Sequence, residues 1–148
     1  MKAEVAVEVM QRLQESEPRE GLREVMLAEG QGIRQGDVYV WCVPSDWPRG
    51  AVRVGESARV LGTGTAAGAR HIAEPPAVVH EGKTLPDWIE MPSGGDPAWL
   101  VGPVVVAMPG EPWMMPHPEH SPFRVRSTTG VCQITYQYDP STMRRVVD

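Results

Sequence analysis

The 148-residue chain lacks several features that would place it in a common functional class. No run approaches the roughly 20 apolar residues of a membrane-spanning helix, and the N-terminus lacks the basic start and compact apolar block of a secretion signal. The net charge of −5 is opposite to that of a general nucleic-acid binder, which carries a basic face for phosphates. These absences predict a protein of the cytoplasm or of a virion, with neither membrane nor nucleic acid as a partner.

Cysteine is also scarce, with Cys42 and Cys132 as the only two. Each lies in an apolar run of β character, 38–43 and 131–138. Their spacing fits no metal-binding or nucleophile motif. The sequence therefore predicts two buried thiols on core strands, with a disulfide as the alternative if those strands pair.

Glycine and proline, at 15 residues each, separate short runs of strand-forming residues. The predicted strands are 37–43, 51–54, 58–61, 77–80, 87–91, 98–101, 103–108, 122–126 and 131–138. Strands of this length and spacing predict a mainly β fold, a small barrel or a jelly-roll-like sandwich. Two hairpins are expected, one joining 77–80 to 87–91 and the other joining 122–126 to 131–138. Polar alternation at Gln133, Thr135 and Gln137 predicts that the last strand has one face in water.

The first 30 residues carry a helical pattern instead. Apolar residues recur with helical spacing in two stretches, Ala6, Val9, Met10 and Leu13 in 2–16 and Leu22, Val25 and Met26 in 19–29. Pro18 interrupts the pattern and Gly30 ends it. The sequence thus predicts an N-terminal helical arm over 1–30 and a β-barrel or sandwich domain over 31–148. The arm either covers the domain or docks on a neighbouring subunit.

Residues 111–123 combine four prolines with His117 and His120. Pro118 suits the second position of a β-turn, which would bring the Cα atoms of residues 117 and 120 within about 7 Å. His71, beside the glycine-rich loop 62–68, is a candidate third partner from a distant strand. Histidines with a carboxylate are a usual ligand set for Zn, Fe or Mn. The candidate ligands of a divalent metal are therefore His71, His117, Glu119 and His120.

Other interpretations of this stretch stay open. A structural turn needs no ligand, and a polyproline II segment would hold residues 117 and 120 about 9 Å apart. Trp113, Met114 and Met115 would form a partner contact if exposed and core if buried. A contact that responds to pH is a further option, since histidine titrates near neutrality. No nucleophile-elbow motif is present, so no catalytic residue is predicted.

Several motifs together resemble a small, functionally uncharacterised bacterial and phage family. They are Gln35-Gly-Asp-Val38, the Arg70-His71 pair after a Gly/Thr loop, His117-Pro-Glu-His120, and Gly130 leading to Thr135-Tyr-Gln137 and Arg144-Arg-Val-Val-Asp148. The similarity spans residues 33–148. It implies no activity for this chain.

Two functional hypotheses follow. The first is a non-enzymatic structural or interaction protein, homo-oligomeric, with an accessory (decoration-type) role in a phage particle or similar assembly. The second is a cupin-like metal-binding protein or metalloenzyme, although the usual cupin His-x-His motif is absent. They differ in whether the imidazoles of His71, His117 and His120 converge or lie apart against another subunit.

Overall fold

The computed structural model describes residues 21–63, 70–90, 94–139 and 144–145. The strands within these ranges are β1 (Arg23–Leu27), β2 (Gly32–Gln35), β3 (Val38–Cys42), β4 (Arg49–Val52), β5 (Val60–Thr63), β6 (Arg70–Ile72), β7 (Val78–Gly82), β8 (Val101–Val106), β9 (Trp113–Met115), β10 (Phe123–Ser127), β11 (Val131–Tyr136), β12 (Tyr138–Asp139) and β13 (Arg144–Arg145). A short 3₁₀ helix spans Pro97–Trp99. The described residues include no α-helix, and the mainly β prediction is confirmed.

The strands form two principal sheets. One has the order β1-β10-β9 and the other β2-β3-β11-β8-β7-β4, while β5-β6 and β12-β13 are two-stranded. The main hydrophobic core draws on both principal sheets, so the arrangement is sandwich-like. None of the sheets in the described part of the chain closes into a barrel. The sequence pattern could not separate these outcomes, because both bury alternate residues.

Strand β3 is the most buried element, with every residue from Val38 to Cys42 inaccessible. Val38, Val40 and Cys42 belong to the main core. Tyr39 and Trp41 lie on the opposite face of the sheet and belong to a second cluster. Trp41 stacks on Tyr39 and meets Trp88 edge-on, each at a centroid distance of 6.0 Å. The predicted strand at 37–43 is thus present as β3, and it is buried on both faces of its sheet.

The polar face of β11 is buried, so the prediction of a wet face is wrong for Gln133 and Thr135. These residues are 0% and 1% exposed. Gln133 Nε2 donates to Gly102 O (2.7 Å) and Ile134 O (2.9 Å), and its Oε1 accepts from Trp47 Nε1 at 2.8 Å. Thr135 Oγ1 accepts from Trp41 Nε1 at 2.9 Å. Tryptophan donors thus allow a polar face to be covered by the second cluster.

Both predicted hairpins are wrong. Strand β7 pairs with β4 and β8, while residues 87–89 form a turn and bend. Strands β10 and β11 lie in different sheets, and the turn at 127–130 carries the chain from one sheet to the other. The predicted strand at 98–101 is mostly the 3₁₀ helix, whose Ala98 N–H donates to the Asp96 carboxylate at 3.0 Å. Proximity in sequence favoured the hairpins, but distant strands provide the actual partners.

The helix predicted over 19–29 is wrong for residues 23–27, which form β1. This strand runs parallel to β10, with Arg23 opposite Phe123 and Leu27 opposite Ser127. Alternation buries Leu27 and part of Val25 against the main core. The apolar spacing at 22, 25 and 26 fits a helix in isolation, and pairing with a strand 100 residues away decides the outcome. The arm predicted over 2–16 lies outside the described residues.

The two cysteines confirm the prediction of buried free thiols on core strands. Cys42 lies directly opposite Cys132 in the antiparallel β3–β11 pair. The Cys42 N–H donates to Gln31 O, away from β11, so the cysteines occupy a non-hydrogen-bonded pair, the closer kind. Burial, and secondarily the neighbouring Cys42, raises the pKa of Cys132 to about 12. The Cys132 thiol is therefore protonated and inert at neutral pH.

Candidate functional site

The centre of the candidate site is the fully buried His71. Alternation along β6 turns Arg70 outward and His71 inward. The ring Nδ1 lies 3.0 Å from Gln35 Oε1, and Nε2 lies 3.1 Å from Asp37 Oδ1. Gln35 and Asp37 flank the tight turn between β2 and β3, where Gly36 has a φ of 58°. Three polar side chains with at most 1% exposure thus meet inside an apolar core, and their mutual hydrogen bonds offset the desolvation.

Gln35 also closes the loop that carries the other histidines. Its Nε2 donates to Met115 O at 2.8 Å and to Ser121 O at 3.0 Å. These carbonyls immediately precede and follow residues 116–120. One buried amide therefore holds both ends of the loop, in which Pro116 and Pro118 further restrict the backbone. The loop, named here the histidine loop (116–120), is consequently preorganised.

These contacts dictate where protons must lie. Because the Gln35 NH₂ group faces two carbonyls, its Oε1 faces His71, and His71 Nδ1 must carry a hydrogen. The opposite nitrogen, Nε2, lies 3.1 Å from Asp37 Oδ1.

The three candidate histidines do come together. Ring centroids are 4.3 Å apart for His71 and His117, 4.6 Å for His117 and His120, and 6.1 Å for His71 and His120. Glu119 takes a different place, because its side chain is exposed and its backbone N–H donates to His117 Nδ1 at 3.0 Å. The sequence-predicted cluster is thus assembled as three histidines without the carboxylate.

Three imidazole rings that lie close together bind a metal ion only if their nitrogen lone pairs point to a common position. Both nitrogens of His71 are engaged with Gln35 and Asp37. His117 Nδ1 accepts a hydrogen bond, so in the neutral ring Nε2 carries the proton. A metal needs a deprotonated nitrogen directed at it. Accordingly, no group of three His, Cys, Asp or Glu in the described ranges is arranged to hold a metal ion.

An open cavity of about 480 Å³ adjoins the histidine loop. Its lining comes from the turn before β5, from the β5–β6 pair and from that loop: Glu56, Arg59, Val60, Arg70, Ile72, Pro116, His117 and Pro118. His117 belongs both to this lining and to the histidine cluster. Sequence reasoning missed the arginines and the buried pair Gln35 and Asp37. For Gln35 and Asp37, the indication in the sequence was that two polar residues flank a glycine immediately before the most apolar strand.

The predicted partner contact at residues 113–115 lies on β9. Trp113 and Met115 are 2% and 0% exposed and belong to the main core, and alternation turns only Met114 partly outward. The contact hypothesis required exposure, so these two side chains take the alternative role, core packing. Burial of the flanking side chains anchors the start of the histidine loop.

Exposed apolar side chains lie instead at the β4 end of the six-stranded sheet. Val52, Val54 and Val78 are 49%, 82% and 43% exposed. Val52 lies opposite His80 in the β4–β7 pair, so alternation places Val52 and Val78 on one face of the sheet, and Val54 follows two residues after the end of β4. We call these three residues the valine strip. The face is the one that carries the second cluster, because Val78 pairs with Val106 and His80 with Val104.

In the described part of the chain, no helix is long and apolar enough to cross a membrane. The similarity of residues 33–148 to a bacterial and phage family stays a prediction. No protein-family model, no curated protein and no solved structure matches this chain.

Proposed function

We propose that this chain is a non-enzymatic interaction protein that self-associates, with the valine strip at the centre of the contact. The observation that supports this proposal is the exposure of Val52, Val54 and Val78 at the β4 end of the six-stranded sheet. Isolated exposed apolar residues are ordinary on protein surfaces, whereas a contiguous group at a sheet edge is typical of a contact region.

The position of the strip supports a second copy as the occupant. Strand β4 is the last strand of its sheet in the described part of the chain, so its outer edge can pair with another strand. A two-fold contact would place each strip against the same strip of its partner. Three valines cover only part of the roughly 800 Å² per partner of a standard interface. The proposal therefore adds the neighbouring edge of β4 to the contact.

The buried polar network supports a binding role over a catalytic one. His71 is enclosed and hydrogen-bonded through both nitrogens, so it has no lone pair with which to act as a base on a substrate. Placement in the cytoplasm or a virion, and an accessory role in a phage particle, are predictions from the sequence and belong to the same proposal.

Charge substitution within the strip tests the proposal. We expect Val54→Glu to lower the oligomer mass measured by light scattering on the full chain, because a carboxylate would be buried in the contact. The fold should tolerate the change, since Val54 is 82% exposed. Met26→Glu is the matched control, because Met26 is 55% exposed on the other principal sheet. A monomeric wild type, or equal dissociation by both variants, would overturn the proposal.

The metal-binding alternative keeps one supporting observation, the convergence of His71, His117 and His120 within 6.1 Å. Binding would require both His71 and His117 to exchange hydrogen bonds for coordination. Elemental analysis of untagged protein distinguishes this metal-binding alternative from the interaction protein proposed above. Stoichiometric metal that is lost in a His117→Ala/His120→Ala double variant would favour the alternative, and trace metal unchanged by that variant would exclude it.

A further inference from the structure

We propose that the cavity beside the histidine loop binds a small organic anion, a carboxylate or phosphate ester attached to an apolar body. The cavity is separate from the valine strip, and the inference stands independently of self-association. It rests on three features of the lining: its cations, its apolar wall and the fixed position of His117.

The first of these features is the positive charge of the cavity lining. Two cationic residues, Arg59 and Arg70, line this cavity together with a single acidic residue, Glu56. This local excess runs against the net charge of −5 for the whole chain. Guanidinium groups bind carboxylate and phosphate oxygens in pairs, with charge-assisted hydrogen bonds. The lining therefore favours an anion over a cation or a neutral molecule.

The remaining lining is mostly apolar. Val60 and Ile72 are opposite each other in the β5–β6 pair, and alternation turns them away from the buried Leu61 and His71. Pro116 and Pro118 supply the facing wall. A volume of about 480 Å³ falls within the usual range for small-molecule sites, which are largely apolar with a few polar anchors. An anion with an aromatic or aliphatic body fits this division better than a free inorganic ion.

His117 is held in place before any ligand arrives. The loop that carries it is closed by Gln35, its Nδ1 accepts from the Glu119 N–H, and its ring packs on the buried His71 at 4.3 Å. A side chain fixed in this way loses little conformational entropy on binding. The arginines are exposed, so their contribution should weaken as salt is added.

Titration of the full chain with phenyl phosphate and benzoate, followed by backbone amide NMR, tests the inference. We expect saturable shifts centred on residues 56–60, 70–72 and 116–118, with a dissociation constant on the order of 1 mM or tighter. Benzyl alcohol, which lacks the charge, should shift these amides only weakly. Inorganic phosphate should bind more weakly than phenyl phosphate, because it leaves the apolar wall uncovered.

Two charge-removing variants sharpen the test. The Arg59→Gln/Arg70→Gln double variant should bind phenyl phosphate at least about tenfold more weakly, since both charge-assisted contacts are lost. Lys83→Gln is the matched control, because Lys83 is exposed and outside the cavity lining; it should leave affinity within about twofold. Absence of saturable shifts, shifts centred elsewhere, or equal weakening by both variants would overturn the inference. Unchanged binding in Val54→Glu would separate the cavity from self-association.

Discussion

At the scale of single residues, Gln35 organises more of the candidate site than any histidine. Its amide joins the end of β2 to both ends of the histidine loop, and its oxygen fixes the proton on His71 Nδ1. Each of these partners is buried or lies on a buried segment. Removal of one side chain would therefore leave three polar groups without compensation.

We expect Gln35→Leu to lower the free energy of unfolding by about 3 kcal/mol, because two carbonyls and the His71 ring nitrogen lose their partner. Urea denaturation measures the loss. Gln31→Leu is the control, since Gln31 is exposed and its side chain accepts only one hydrogen bond of its own turn, from Ala28 N–H; it should cost under about 1 kcal/mol. Equal costs for the two variants would contradict the role given to Gln35.

Cys132 gives the molecule a predictable response to alkaline pH. Its pKa rises from 9.0 to about 12 on folding. Below pH 9 both the folded and the unfolded chain hold the proton, so its contribution to stability is fully present. As pH rises toward 12, the unfolded chain releases the proton first, and stability falls.

Urea denaturation between about pH 8 and pH 11 should therefore show wild type losing about 1.4 kcal/mol per pH unit relative to Cys132→Ala above pH 9. The comparison cancels the other groups that titrate in this range. Parallel pH dependences of the two proteins would show that the Cys132 thiol is not desolvated as described.

At the scale of elements, two facing glycines allow β7 and β8 to approach closely. A Cβ on Gly82 would lie 1.7 Å from the carbonyl oxygen of Gly102, and a Cβ on Gly102 would lie 2.9 Å from the Ile134 side chain. Strands β7 and β8 are both interior strands of the six-stranded sheet. On the other side of β8, Gly102 O also accepts a hydrogen bond from Gln133 Nε2 of β11.

Gly82→Ala should cost more than about 3 kcal/mol in unfolding free energy, because backbone atoms cannot move aside as a flexible side chain could. Gly55→Ala is the matched control. Gly55 has a φ of 91° with nothing within 4 Å of the added carbon, so it should cost about 1 kcal/mol from backbone conformation alone. A Gly82→Ala protein as stable as Gly55→Ala would refute the close contact.

Sequence reasoning succeeded where a local pattern decides the structure. The run 38–42 is a strand because its β-branched and aromatic residues leave no polar face. His117 and His120 lie close together, with ring centroids 4.6 Å apart, across a bend at residues 118–120. Sequence reasoning failed where a distant partner decides. Residues 23–27 form a strand because β10 pairs with them. Gln133 is buried because Trp47 reaches it from 86 residues away.

The candidate site divides in the same way. His71 could be named as a companion of His117 and His120 from residue type alone, but its engagement with Gln35 and Asp37 depends on three-dimensional placement. The metal-site hypothesis came from the residue types and stays a prediction; in the assembled site both nitrogens of His71 are hydrogen-bonded. The sequence did not decide whether residues 113–115 are exposed or buried. In the structure, Trp113 and Met115 belong to the main core.

At the scale of the whole molecule, the two faces of the six-stranded sheet are covered to different extents. One face carries the main core along its length, and the other is covered by the cluster around Trp41 and Trp88. Toward β4 this second face reaches the surface at the valine strip. Uneven covering of one sheet face is the physical basis for proposing that a second copy completes it.

Isotope-filtered NOE spectroscopy on an equal mixture of valine-methyl-labelled and unlabelled chain tests this proposal most directly, because it detects only contacts between copies. We expect intermolecular NOEs from the methyl groups of Val52, Val54 and Val78, and none from the buried Val40. Absence of intermolecular NOEs from the strip, or their appearance only at valines outside it, would contradict self-association through the valine strip.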